Sequence, residues 1–337
     1  MAELGNKNRA IGGYFGIKLP EYSFPYEAAM GFQSARAALR FWLQNGEIKI
    51  LHLPRLICDS IISAAEDADV EINFYNLRKD FLPNIDKYRN EKDIGYLLVN
   101  YFGLHTRKLK NLESVNGRAN LMFDNSQALF TQPFINAATI YSPRKYFGLP
   151  DGGLLECGDR QVIRGYAQLE QDKASITRVN HLLKRASEGA RAGYDDFLRA
   201  ETTLEDTTPR RMSNLTSKLL RSVDFPEVAA VRQSNFDYLN SAFGAMNTLE
   251  WHRESGDIPL CYPLMLKQSV SEVRKKLAGS NIFCPTYWPE VLERVRPDSW
   301  DAKLVNNTLH LPCDQRYSLE DLKSMTDIVF GVLKNER

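Results

Sequence analysis

Two side chains with catalytic potential stand where short apolar runs of the sequence end. Lys145 follows the β-branched and aromatic run Ala138–Tyr141, and Asp124 ends the apolar run 119–123. A lysine held among apolar groups loses solvation, which favours its neutral, nucleophilic form and suits it to imine formation with carbonyl compounds. An aspartate at a neighbouring strand end can keep a ring nitrogen protonated. Pyridoxal phosphate requires both groups, so the pair predicts this cofactor.

Each of the two residues also has a simpler interpretation. Most lysines in loops are solvated, and an aspartate that follows a strand commonly caps a turn or a helix. The cofactor hypothesis therefore depends on the elements that bring the two residues together.

The composition limits the classes of protein to consider. Of 337 residues, 43% are hydrophobic and 25% charged, as in a globular protein with an ample core. The net charge of +1 argues against a nucleic-acid partner. The five cysteines form no Cys-x-x-Cys pair, so we expect neither a metal site nor a disulfide framework. Because we find no signal-like segment and no membrane-spanning run, we expect a cytoplasmic protein.

Six short apolar runs predict strands of one sheet. They cover residues 48–53, 70–75, 94–102, 119–123, 137–141 and 153–157. Several lack in–out alternation, which is typical of strands buried on both faces in a largely parallel α/β sheet. Ligands of such sheets bind beyond the carboxyl ends of the strands, where we expect Pro54, Asp124 and Lys145. A helix over 34–44, with Ser34 as its N-cap, precedes the sheet.

The second half of the chain predicts helices and a smaller unit. Residues 158–250 look mostly helical, with a long periodic stretch over 160–199 and a loop over 202–209. Beyond residue 257 we expect an α+β unit. Its strands are predicted at 260–266 and 281–284, and its helices at 270–277 and 319–333. The sequence thus predicts a large domain over 1–240 and a small C-terminal domain over 241–337.

Seven segments carry a family resemblance in matching order. They are Gln33-Ser34-Ala35-Arg36-Ala37-Ala38-Leu39, His52-Leu53-Pro54, Tyr101-Phe102-Gly103, Asp124-Asn125-Ser126-Gln127-Ala128, residues 142–153, Thr286-Tyr287-Trp288-Pro289 and Leu311-Pro312-Cys313-Asp314. Together they resemble the motifs of the DegT/StrS family of pyridoxal-phosphate-dependent sugar aminotransferases. The resemblance implies the type I fold of aspartate aminotransferase, with a mostly parallel central sheet flanked by helices.

The resemblance also implies a role for individual residues. Lys145 would form the Schiff base and later move the substrate proton, while Asp124 would hold the pyridine nitrogen protonated. Gln127 would lie near the phenolic oxygen of the cofactor. Four further residues would hold its phosphate, namely Ser34, Ala35, Arg36 and Ser142. A helix start suits this task because its free N–H groups and its dipole favour an anion.

Three positions depart from the family pattern. Ile140 stands where the family has a phosphate-binding serine, and Ser142 is the candidate substitute. Leu56-Ile57-Cys58 stands in the region where the family has an aromatic ring that stacks on the cofactor. The asparagine that reaches the partner's phosphate is missing, and Arg210 or Arg211 is the candidate replacement. Tyr14, His105 and Tyr287 are candidate walls of the substrate pocket.

The resemblance implies transfer of an amino group from an amino acid, glutamate in the family, to a keto group on a nucleotide-linked sugar. Relatives that remove oxygen instead carry histidine at the position of Lys145. Two alternatives stay open: a pyridoxal-phosphate enzyme with a non-nucleotide keto substrate or an elimination reaction, and a non-catalytic family member. We also expect a homodimer, partly from the resemblance and partly because the apolar stretches 41–43, 102–104 and 130–134 exceed what one sheet obviously needs.

Overall fold

A computed structural model describes residues 12–86, 88–116, 119–251, 253–254 and 256–334. Its strands are β1 (Met30–Phe32), β2 (Ile50–Pro54), β3 (Glu71–Tyr75), β4 (Ile94–Val99), β5 (Asn120–Asp124), β6 (Ala138–Tyr141), β7 (Gly153–Glu156), β8 (Tyr262–Met265) and β9 (Thr308–Leu311). Its α-helices are α1 (Ala35–Asn45), α2 (Asp59–Glu66), α3 (Thr106–Asn116), α4 (Arg160–Tyr166), α5 (Ser175–Arg178), α6 (Asn180–Glu188), α7 (Tyr194–Thr203), α8 (Asn214–Arg221), α9 (Phe225–Phe243), α10 (Ser271–Gly279), α11 (Trp300–Asn307) and α12 (Leu319–Lys334).

Seven strands form the central sheet in the order β1-β7-β6-β5-β4-β2-β3. Strands β2 to β6 are parallel, whereas β7 is antiparallel to both β6 and β1. The six predicted strands and the largely parallel sheet are therefore confirmed. The sequence analysis missed β1, because three residues are too few to show a period. Among the described residues, no helix combines the length and apolar composition that crossing a bilayer requires.

Helix α1 begins where the sequence predicted. The Ser34 hydroxyl accepts a hydrogen bond from the backbone N–H of Ala37 at 3.2 Å, which confirms Ser34 as the N-cap. The first residue of β7 packs tightly against this helix start. A Cβ atom at Gly153 would lie only 2.3 Å from the backbone nitrogen of Ala35, so this position requires glycine.

One prediction for the second half of the chain was wrong. Residues 281–284 are not a strand, since β8 pairs instead with β9, which the sequence analysis missed along with α11. The stretch 160–199 is mostly helical, as predicted, and is divided into the four helices α4 to α7. The chain breaks after α4, where the Asp172 N–H bonds to the Arg211 carbonyl at 2.8 Å, and again at Gly189, which has a φ of 89°.

The C-terminal elements pack onto the sheet through one continuous core. Phe236, Leu239 and Phe243 of α9 belong to the same buried cluster as Leu51 and Leu97 of the sheet. The predicted domain boundary at residue 240 falls inside α9. The division of the chain into a large and a small domain stays a prediction.

Candidate active site

A cavity of about 250 Å³ opens beyond the carboxyl ends of the central parallel strands. Asp124 ends β5 and pairs in register with Ile140 of β6, the strand that leads into the loop of Lys145. The cavity wall contains six of the residues selected from the sequence: Ser34, Ala35, Arg36, Asp124, Ser142 and Lys145. The parallel topology thus brings together segments that lie far apart in the sequence.

The start of α1 forms one side of the cavity. The first N–H groups of a helix have no acceptor within the helix, and the dipole places partial positive charge there. The side chain of Arg36 lines the same side and adds a full charge. Ile140 is fully buried in β6, so it does not face the cavity, whereas Ser142 does. This side of the cavity can bind a phosphate group.

Asp124 is held firmly on the cavity wall. The residue is 5% exposed, and Oδ1 accepts a hydrogen bond from the Ser126 N–H at 2.8 Å. That bond spans two residues and caps the turn after β5, as the simpler interpretation of this residue proposes. The same carboxylate lines the cavity, so the turn bond also fixes the direction of its charge.

Lys145 ends a short 3-10 turn, Pro143–Lys145. Its backbone N–H bonds to the Ser142 carbonyl at 3.1 Å, and Tyr146 N–H closes the turn on Pro143 at 2.9 Å. The side chain lines the cavity but is exposed. The expected enclosure of this lysine by apolar groups was therefore wrong, because the loop presents it to the open cavity.

Four other predicted residues lie away from the cavity wall. Gln127 is buried, and its Oε1 accepts a hydrogen bond from Phe102 N–H at 2.8 Å, so it holds the turn after β4. His105 stacks on a phenylalanine ring, and burial lowers its pKa to about 3. Tyr287 packs with its ring 4.4 Å from that of His310. Tyr14 is 98% exposed. None of the four lines the cavity of its own chain.

The two candidate arginines also lie outside this cavity. Arg210 pairs with Asp206 at 2.9 Å, and its backbone N–H bonds to Gln33 Oε1 at 2.9 Å. Arg211 lines a separate cavity of about 290 Å³ beside Met212. Neither arginine is therefore part of the wall of the cavity that contains Lys145 and Asp124.

The cavity includes residues that the sequence analysis did not select for the site. Cys58 and Ile61 lie on the wall, and Cys58 Sγ is 3.0 Å from the Ser60 hydroxyl. Arg144 was next to the chosen lysine and could have been found from that neighbourhood. Phe197 and Glu201 come from α7, and no sequence signal connected that helix to the site.

A buried polar network stands behind the cavity. Arg178 Nη1 contacts Asp151 Oδ2 at 3.0 Å and Asp172 Oδ2 at 2.7 Å, and all three side chains are at most 5% exposed. The hydroxyls of Ser175 and Thr216 donate to Asp151 as well. Charges this deeply buried need such partners, since removing one leaves an uncompensated charge. The network fixes the loop at Asp151, directly before the glycines that meet α1.

Comparison with known proteins addresses the fold. No protein-family model matches the sequence, and no curated protein matches it significantly. Many solved structures do match the fold of the chain. Two examples are a DegT DnrJ EryC1 StrS aminotransferase from Brucella abortus, with 14% identity over 90% of this chain and 85% of that chain at a TM-score of 0.61, and the sugar aminotransferase CalS13 from Micromonospora echinospora, with 12% identity over 90% and 87% at 0.62.

A third matching structure contains a bound cofactor. It is NtdA from Bacillus subtilis with bound cofactor PMP, with 14% identity over 91% of this chain and 73% of that chain at a TM-score of 0.61. These likenesses establish that the chain has the type I fold of pyridoxal-phosphate-dependent transferases. Within that fold it is similar to the sugar aminotransferases, as the sequence motifs predicted.

Proposed function

We propose that this chain is a pyridoxal-phosphate-dependent aminotransferase. The observation that carries the proposal is the meeting of Lys145, Asp124 and the start of α1 around one cavity of about 250 Å³. A primary amine, a buried carboxylate and a helix N-terminus are the three groups that this cofactor needs from a protein. The fold, established independently of these residues, supports the same cofactor.

The residues present fit the cofactor. Ser34, Ala35, Arg36 and Ser142 would hold its phosphate, and Asp124 would lie at its pyridine nitrogen. When bound, the cofactor supplies an electron sink that stabilises negative charge on the substrate carbon being deprotonated. Cys58 and Ile61 would give aliphatic and thiol contact where relatives have an aromatic ring.

Two side chains of this site would handle protons. The Lys145 amine, Nζ, would hold the cofactor and would serve as the base that takes a proton from the substrate carbon and returns it. The Asp124 carboxylate would keep the pyridine nitrogen protonated. The Ser126 N–H, bonded to Asp124 Oδ1, fixes the position of that carboxylate.

The substrates are the finer part of the proposal. We infer an amino-acid donor, glutamate by family resemblance, and a keto group on a nucleotide-linked sugar as the acceptor. The similarity to the sugar aminotransferase CalS13 supports a sugar acceptor. A cytoplasmic location is supported by the five cysteines, all of which are free. A non-nucleotide keto acceptor or an elimination reaction is the alternative, and a non-catalytic member of the fold is the second one.

Titration of the purified protein with pyridoxal phosphate tests the proposal. We expect a saturable visible absorbance from the lysine-bound cofactor, and release of one equivalent of 2-oxoglutarate per site when glutamate is added. Pyridoxine phosphate, which has no aldehyde, is the control and should bind without this absorbance. A protein that stays colourless at saturating cofactor is the non-catalytic member instead.

The proposal includes a homodimer, although two of the three apolar stretches give it no support. Phe41, Trp42, Leu43 and Phe102 are buried within the chain, because they pack between the sheet and its own helices. The family resemblance and the position of Arg210 and Arg211 support the dimer. Both lie outside the cavity of their own chain, so a contact with bound phosphate would have to be made in the neighbouring subunit's site.

Hybrid dimers test the shared site. We expect a dimer in sedimentation, and we expect mixed dimers of a Lys145→Ala subunit and an Arg210→Ala, Arg211→Ala subunit to recover part of the activity that each parent lacks. Recovery follows because one hybrid site then has both defects and the other has neither. A fully active monomer, or verified hybrids without recovery, would contradict the shared site.

A further inference from the structure

The cavity wall contains an ion pair in addition to the residues that would hold the cofactor. The Arg144 guanidinium contacts the Glu201 carboxylate, and both side chains line the cavity beside Lys145. The Arg144 side chain is 15% exposed and that of Glu201 is 33% exposed. Arg144 Nε is buried and has no hydrogen-bond partner among the described residues. The guanidinium thus retains an N–H donor that the described residues do not use.

Both members of the pair are attached to fixed elements. Arg144 belongs to the 3-10 turn that ends on Lys145, so its backbone is placed together with that of the reactive lysine. Glu201 lies on α7 next to the buried Ala200 and two residues before Thr203, whose hydroxyl accepts a hydrogen bond from Arg178 Nε at 2.8 Å. The buried network behind the cavity therefore anchors the helix that presents Glu201.

The Arg144 guanidinium can exchange the Glu201 carboxylate for the carboxylate of a bound molecule. A guanidinium has five N–H donors in a planar fork that binds carboxylates bidentately. A partly exposed ion pair contributes little net stability, because solvent screens it and replaces its bonds. Glu201 can therefore give up its place to an incoming carboxylate at small cost, whereas Arg144 is held by its turn and by its greater burial.

We propose that Arg144 is the receptor for a carboxylate of the amino donor, and that Glu201 occupies the guanidinium until that carboxylate displaces it. The inference rests on the proposed function, since it assigns the donor subsite of the same cavity. It explains how one cavity accepts two different substrates in turn. An amino acid opens the pair, whereas a keto substrate without a carboxylate leaves it closed, with its charges neutralised.

Succinate is a suitable probe, because it has two carboxylates but neither an amino nor a keto group. We expect calorimetric titration of the cofactor-loaded protein to give binding about two- to fivefold tighter for Glu201→Gln than for the wild type. This is the change expected when a weakly held charged competitor is replaced with a neutral isostere. Arg144→Ala should weaken binding at least about tenfold, and Arg144→Lys should restore part of it. The double variant should bind like Arg144→Ala alone.

A matched control is the ion pair between Asp237 and Arg253, whose arginine side chain is 16% exposed and which lies outside the cavity wall. The substitution Asp237→Asn should leave succinate affinity unchanged. Unchanged or weaker binding by Glu201→Gln, or unchanged binding by Arg144→Ala, in protein that carries the coloured cofactor would overturn the donor subsite alone. Absence of the coloured cofactor from the wild type would instead overturn the proposed function. The gain in Glu201→Gln separates the proposal from a merely structural role, since loss of a structural contact does not tighten binding.

Discussion

Replacing Lys145 with alanine should abolish covalent attachment of the cofactor and lower amino transfer by at least about 10³-fold. Both the imine and the proton transfer on the substrate carbon depend on this amine, and general acid–base catalysis alone contributes about 10²–10⁴-fold. Lys145 lies on the cavity wall in a turn whose backbone bonds do not involve its side chain, so the fold should survive the substitution. We expect the cofactor still to bind non-covalently, through the α1 start and Asp124.

Borohydride reduction followed by peptide mapping measures this attachment directly. In the wild type the reduced cofactor should be found on the peptide that contains Lys145, and the Lys145→Ala protein should carry no label. Lys275, which pairs with Glu272 on α10 outside the cavity wall, gives the control substitution Lys275→Ala, and this variant should label as the wild type does. Label on any lysine other than Lys145 would show that the reactive residue was chosen wrongly.

The sequence predicted those parts of the site that lie at the ends of periodic elements. Ser34 precedes a helix with clear periodicity, and Asp124 and Lys145 follow short apolar strands. Parallel strands present their carboxyl ends at one edge of a sheet, so the proximity of Asp124 and Lys145 followed from topology alone. These three residues line one cavity. They could be predicted because each lies at the end of an element with a local sequence signal, and only the order of the strands is a non-local property.

Contacts made by irregular or distant segments could not be predicted in the same way. Glu201 meets Arg144 only because α7 is separated from α6 at Gly189 and anchored through Arg178, a set of tertiary contacts without a periodic signal. The sequence over 160–199 is rich in helix-forming residues throughout, so it gave no clear signal for those breaks. The position of Gln127 differs from the predicted one for another reason. Its neighbour Ser126 lines the cavity, whereas its own amide turns inward to the Phe102 backbone.

The second large effect should come from Asp124→Asn, which tests whether this carboxylate acts on the cofactor or only caps a turn. Asparagine keeps an oxygen that can accept the hydrogen bond from Ser126 N–H, a bond of 2.8 Å in the wild type. The turn after β5 and the coloured, lysine-bound cofactor should therefore persist. A neutral amide cannot keep the pyridine nitrogen protonated, and loss of one such preorganised electrostatic contact typically costs about 10²–10³-fold in rate.

Single-turnover release of 2-oxoglutarate from glutamate measures this effect without knowledge of the acceptor. Asp124→Asn should show the visible absorbance of the wild type but a rate lower by about 10²–10³-fold. Asp298, a well-exposed aspartate beside Arg296 and outside the cavity wall, gives the control Asp298→Asn, which should react at the wild-type rate. A nearly normal rate in Asp124→Asn would mean that the carboxylate serves the turn alone. A lost absorbance would mean that its charge is needed to bind the cofactor before any transfer occurs.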